Sequence, residues 1–285
     1  MEGRKNLELV EFEDEFHLQH DSTETYDISF SFNRICLKRA YQALDSASDN
    51  LFQNFLFPDS VSLQMNIPTS PASDSHFLKH DHAKAFSHSN EPSKTGMVVR
   101  EAVVQIYKSS VGCQILMIAP SNSACDVLMR SLTKVIPESD MFRANAAFHE
   151  KDEVPEDILS SCLYKEEYFA RPSHEELPKF RVIFSIFMSS FRLHNEGIDA
   201  GHFTHIFLVD ASSAIEPEAL MTLANFADKD TAVVVTGRPG NSSSYVHSEI
   251  GRKMGLKISY FERLCQCWPY RTLNPKFITD LSLEG

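Results

Sequence analysis

Between Met97 and Cys267 the chain alternates short apolar runs with stretches whose apolar side chains recur every three or four residues. No other feature constrains the fold as much. Residues 114–118, 180–185, 204–209 and 231–236 read as strands, and each is apolar along most of its length rather than on every second residue. Such strands are buried on both faces, which is the habit of a parallel sheet sandwiched between helices. The intervening stretches supply those helices. Residues 97–107 place Val98, Val99, Ala102, Val103, Ile106 and Tyr107 at helical spacing, and 122–135, 216–225, 246–253 and 260–267 read the same way. The expected fold is therefore a three-layer, mostly parallel α/β sheet. Ligands of such sheets bind at the carboxyl ends of the strands, so the loops after Ile118, Ser185, Val209 and Thr236 are where chemistry is expected.

The first part of the chain reads differently. Runs 9–16 and 26–32 are β-like, and Asp27, Ser29 and Ser31 alternate with Ile28, Phe30 and Phe32, which predicts a hairpin around Asp21-Ser22-Thr23. A short helix is expected over 35–44. From Pro58 to Thr95 the prolines Pro58, Pro68, Pro71 and Pro92 fall among Ser, Asp and His without periodicity. The expected division is a small β-rich N-terminal fragment over 1–57, a flexible linker over 58–95 and the sheet domain over 96–285.

Charge narrows the function. With 27 Lys and Arg against 39 Asp and Glu the formal net charge is −12, so binding of nucleic acid through bulk positive charge is excluded and any such contact is local. No apolar run approaches the roughly 20 residues of a membrane span, and the amino terminus lacks an apolar signal core, so a cytoplasmic location and no membrane partner are expected. The 6 cysteines are dispersed, and Cys265-Gln266-Cys267 has no second pair to complete a zinc site, so they read as reduced packing residues. His76, His80, His82 and His88 lie in the linker without ligand spacing. No metal site is expected.

The loops themselves carry a resemblance. Ala119-Pro120-Ser121-Asn122-Ser123-Ala124-Cys125-Asp126 resembles motif Ia of the Upf-like superfamily 1 RNA helicases, most closely the plant silencing-defective type and its animal relatives. Gly201-His202-Phe203-Thr204-His205-Ile206-Phe207 resembles the run entering that family's Walker B strand. Glu216-Pro217-Glu218, Gly255-Leu256, Phe261-Glu262-Arg263-Leu264 and Asn274-Pro275-Lys276-Phe277-Ile278-Thr279 also fit, and together they cover Met97 to about Asp280. The resemblance implies a RecA-like P-loop NTPase sheet, the first of the family's two such domains, the second lying outside this chain.

It also implies ATP and Mg²⁺ as cofactors and single-stranded RNA or silencing proteins as partners, with no DNA. By position, Lys94, Thr95 and Gly237 would meet the nucleotide, Asp210 would be catalytic, and Ser121, Asn122, Ser123 and Ser185 would meet RNA. The match fails where ATP chemistry is densest. No glycine precedes Lys94-Thr95, and Glu91 puts negative charge where phosphates would lie, although a phosphate loop needs close backbone approach. Val209-Asp210 stands where the family has two acidic residues, and Arg238 reverses a charge in the motif after Thr236. No adenine-recognising glutamine motif is evident over 60–88, and the only tryptophan, Trp268, forms no Argonaute-type Gly-Trp repeat. The expectation is a degenerate, truncated helicase-like protein without ATPase or unwinding activity that binds RNA or protein in a silencing context. The alternative is an ATP-dependent RNA helicase of post-transcriptional silencing.

Overall fold

A computed structural model describes residues 35–47, 93–147, 149–165, 167–240, 246, 249–268, 270–272 and 277–281. The expected N-terminal hairpin and most of the linker lie outside these residues. All described residues belong to one compact unit, Ile35–Gly285.

The central element is β1 (Ile115–Ala119), five apolar residues that are all buried. Its neighbours are β5 (Val182–Ile186) on one side and β6 (His205–Leu208) on the other, both parallel, with Ile115 opposite Val182 and His205. Beyond β5 lies β2 (Met141–Arg143), and beyond β6 lies β7 (Ala232–Val235), again parallel. The order β2-β5-β1-β6-β7 makes a five-stranded parallel sheet, and β3 (Tyr164–Lys165) with β4 (Tyr168–Phe169) forms a small antiparallel pair.

The pleat sorts side chains into two cores. Leu116 and Ile118 of β1 join Ile183, Ile206 and Leu208 on one face, where α5 (Glu216–Phe226) contributes Ala219, Leu220, Leu223 and Phe226 and α7 (Tyr260–Gln266) contributes Tyr260 and Leu264. Ile115, Met117 and Ala119 join Val182, Phe184 and Phe207 on the other, under Val99, Val103 and Val104 of α2 (Lys94–Ser109) and Cys125, Leu128, Met129 and Leu132 of α3 (Asn122–Leu132). Adjacent residues of one strand thus feed opposite cores, as a period of two demands. The result is the expected three-layer α/β sheet of the RecA-like kind. Of the remaining helices, α1 (Ile35–Ser46) lies against α5, while α4 (Phe191–Asn195) and α6 (Glu249–Lys253) are short.

Two differences from the sequence reading matter. α2 begins at Lys94, its end capped by Ser93, whose Oγ accepts from the Gly96 amide at 3.1 Å, so Lys94 and Thr95 form a helical first turn. β7, apolar enough to suggest burial on both faces, is the edge strand among the described residues, and Val234 is 38% exposed.

Candidate nucleic-acid interface

Because the five strands run parallel, their carboxyl ends gather five loops on one edge of the sheet. The loop after β1 is closed by a side-chain cap. Ser121 Oγ accepts from the Ala124 amide at 3.2 Å and caps α3, leaving Ser121 and Ser123 exposed at the helix amino terminus, where backbone N–H groups and the helix dipole favour an anion. Asn122 is half-buried and turns inward. Its Oδ1 accepts from Arg143 Nη2 at 2.9 Å, and its Nδ2 lies 3.3 Å from His149 Nδ1.

Arg143 ends β2 and is 1% exposed. Its Nε donates to Asp126 Oδ1 at 2.8 Å and its Nη1 to the Ala144 carbonyl at 3.1 Å, so the guanidinium is neutralised and bonded on three sides. Burial alone would favour loss of its proton, but neighbouring Cys125, Asp126 and Cys162 leave its pKa above the ordinary value. Burial pushes Cys125 and Cys162 up to about 11 despite the nearby guanidinium.

The donor pattern fixes the Asn122 amide. Arginine has no acceptor, so Oδ1 must face it and Nδ2 must face His149. Glu153 Oε2 lies 3.3 Å from the same His149 Nδ1, with its side chain 65% exposed. His149 Nε2 is a buried atom with no hydrogen-bond partner among the described residues.

Two further arginines border this corner. Arg192 Nη1 donates to the Asn145 carbonyl at 2.8 Å and Arg171 Nη1 to the Arg192 carbonyl at 3.0 Å, with Arg171 also paired to Glu196 at 2.7 Å. Burial, and then Arg171, lower the Arg192 pKa from its ordinary value. On a chain of net charge −12 Arg143 is buried and paired with Asp126 and Arg171 is paired with Glu196, so the grouping brings little net positive charge to this corner. Sequence reasoning overlooked Arg143, Arg192 and His149. The available signal was an arginine inside the apolar run Met141-Phe142-Arg143, since a buried charge needs a built partner.

Ser185 behaves otherwise. It is fully buried, its hydroxyl directed to the Ala144 and Ile186 carbonyls at 3.5 and 3.4 Å, and its own carbonyl accepts from Cys125 Sγ at 3.3 Å. Its side chain presents nothing to a ligand in this structure; it belongs to the packing between β5 and α3.

The loops after β6 and β7 are tied together. Asp210 adopts a left-handed conformation, φ 50°, and its amide donates to Thr236 Oγ1 at 3.1 Å while the Ala211 amide donates to the Thr236 carbonyl at 2.7 Å. Both Asp210 carboxylate oxygens accept from neighbouring hydroxyls, Oδ1 from Ser212 at 3.0 Å and Oδ2 from Ser213 at 2.7 Å. Ser212 Oγ in turn accepts from the Arg238 amide at 3.1 Å. Val209 beside Asp210 is apolar and buried. Gly237 lies against α7, where an added Cβ would sit 2.8 Å from the Phe261 ring. Lys94 Nζ donates to the Leu281 carbonyl at 2.7 Å. Lys94, Asp210 and Gly237 are thus engaged with the protein itself, Thr95 lies in the first turn of α2, and a lone Asp beside a valine fits poorly as a Mg²⁺ site.

No family model matches the chain. It is 27% identical to mov-10-B.1 of Danio rerio over 84% of its own length and 26% of that protein, and 25% identical to "Probable RNA helicase armi" of Drosophila melanogaster over 92% of this chain and 26% of that one. It is 32% identical to "RNA helicase Mov10l1" of Homo sapiens over 61% of this chain and 14% of that protein. The chain spans about a quarter or less of the length of these relatives. With β1 and the capped loop Ser121-Asn122-Ser123 at the carboxyl edge of a parallel RecA-like sheet, its homologues are helicases of the Mov10 and Armitage type.

Proposed function

We propose that this chain is a RecA-like RNA-binding module that does not hydrolyse ATP, acting in the cytoplasm in an RNA-silencing context of the silencing-defective helicase type. The observation that carries the reading is the contrast between two loop groups at the carboxyl edge of one sheet. In the loop after β1, exposed Ser121 and Ser123 and the amides of α3 offer hydrogen-bond donors, which suits the phosphodiester backbone of a single strand. In the loops after β6 and β7, Asp210 is occupied by Ser212 and Ser213, and its neighbour is Val209. Contacts of the first kind read the backbone and not the bases, so binding is expected to be sequence-tolerant and to weaken with salt.

Fluorescence anisotropy with a labelled oligouridine RNA tests the reading. Saturable binding that Ser121→Ala with Ser123→Ala weakens is expected, and no binding at high micromolar protein refutes it. Calorimetry with ATP and Mg²⁺, on the chain and on Lys94→Ala, tests the other half. Heat that the substitution abolishes would favour the second reading, an ATP-dependent RNA helicase, which the names of the relatives support.

A further inference from the structure

We propose that Arg143 is a positioning residue for RNA, acting through Asn122; the inference rests on the RNA-binding reading of the β1 loop. Arg143 contributes only donors, so its bond to Asn122 Oδ1 locks the amide in one of its two orientations and turns Nδ2 to the opposite side. Nδ2 lies 3.3 Å from His149 Nδ1 and can engage it with at most one of its two hydrogens, which leaves the other for a ligand at the same loop as Ser121 and Ser123. The ion pair to Asp126 and the bond to the Ala144 carbonyl hold the guanidinium so that it cannot follow a rotating amide. A loop asparagine that would otherwise present either an acceptor or a donor is thereby committed to donation. An acceptor-only ligand, the phosphodiester oxygen, is the chemistry that commitment fits.

The geometry separates this role from mere support of the fold. Asn122→Asp keeps an oxygen for Arg143, so that bond survives, but it replaces the Nδ2 donor with a carboxylate oxygen. The variant is expected to melt at or above the midpoint of the unsubstituted chain and to bind oligouridine about tenfold more weakly, the size of one hydrogen bond to a charged group. Arg143→Lys keeps the charge beside Asp126 but cannot bond Asp126, Asn122 and Ala144 together. In a double-mutant cycle it should cost about tenfold in RNA affinity in the otherwise unsubstituted chain and less than twofold further when Asn122 is already Ala.

Equal losses in both backgrounds, or Asn122→Asp binding as tightly as the unsubstituted chain, overturn the proposal. Should Arg143→Lys fail to fold, Asn122→Asp decides alone. If the unsubstituted chain binds no oligouridine, the RNA-binding reading falls and this inference with it. If it binds and the variants bind equally well, only this inference falls.

Discussion

Replacing Arg143 with methionine removes three hydrogen bonds at once and leaves the Asp126 carboxylate, 5% exposed, without its partner. Breaking a buried pair from one side costs about 3–5 kcal/mol, because the surviving charge has lost both water and its counter-ion. A domain of this size shifts its midpoint by about 2–4 °C per kcal/mol, so Arg143→Met should melt roughly 6–20 °C lower. Removing both partners, as Arg143→Met with Asp126→Leu, takes away the stranded charge and should recover most of that loss. Circular-dichroism melts on the two variants and the unsubstituted chain read all of this. A loss below about 1 kcal/mol, or a double variant no more stable than the single one, would show that the pair carries none of the burden assigned to it.

Gly237→Ala places a methyl 2.8 Å from the Phe261 ring, an overpacking expected to cost about 1–3 kcal/mol in chemical denaturation and to be relieved by Phe261→Leu. Glu218 Oε2 accepts from the Ile215 amide at the start of α5, yet burial raises its pKa. It therefore binds its proton more tightly folded than unfolded and subtracts stability as pH rises from the ordinary glutamate range through its folded value. Glu218→Gln should flatten that slope and melt higher than the unsubstituted chain at pH 7. Cys125 and Cys162, pushed up to about 11, should resist iodoacetamide at pH 8 in the native protein and react once it is denatured, as peptide mass spectrometry would show.

Periodicity located the sheet well because its strands are apolar and bounded by Gly, Pro or Ser. Residues 114–118 were expected and Ile115–Ala119 is found, and α5 and α7 begin at the residues expected, Glu216 and Tyr260. β2 escaped the reading because three residues give no period, and because Arg143 looks like a surface residue until Asp126 is brought beside it. β7, expected over 231–236, is found at Ala232–Val235, and only its edge position was not legible. Its Ala-Val-Val-Val run is as apolar as a central strand, but which strand flanks it is a property of topology and not of its own composition. At the candidate interface, the Ser121 cap was legible because its partner is three residues away. The Arg143 bond to Asn122 was not, since it joins a strand end to a helix start 21 residues apart.

The strand order β2-β5-β1-β6-β7 has a consequence for biosynthesis. β1 is made before either of its flanking partners, and Ile115 waits for Val182 before β5 can pair with it. At roughly 5–20 residues per second, that interval is on the order of 3–13 s. During it the run Ile115-Leu116-Met117-Ile118-Ala119, which ends fully enclosed, has neither sheet neighbour. It is apolar, uncharged and free of proline, the pattern that associates with other chains most readily. The same segment that organises the finished sheet is therefore the one the nascent chain has most need to keep shielded, so slowing translation between β1 and β5 should lower the soluble yield.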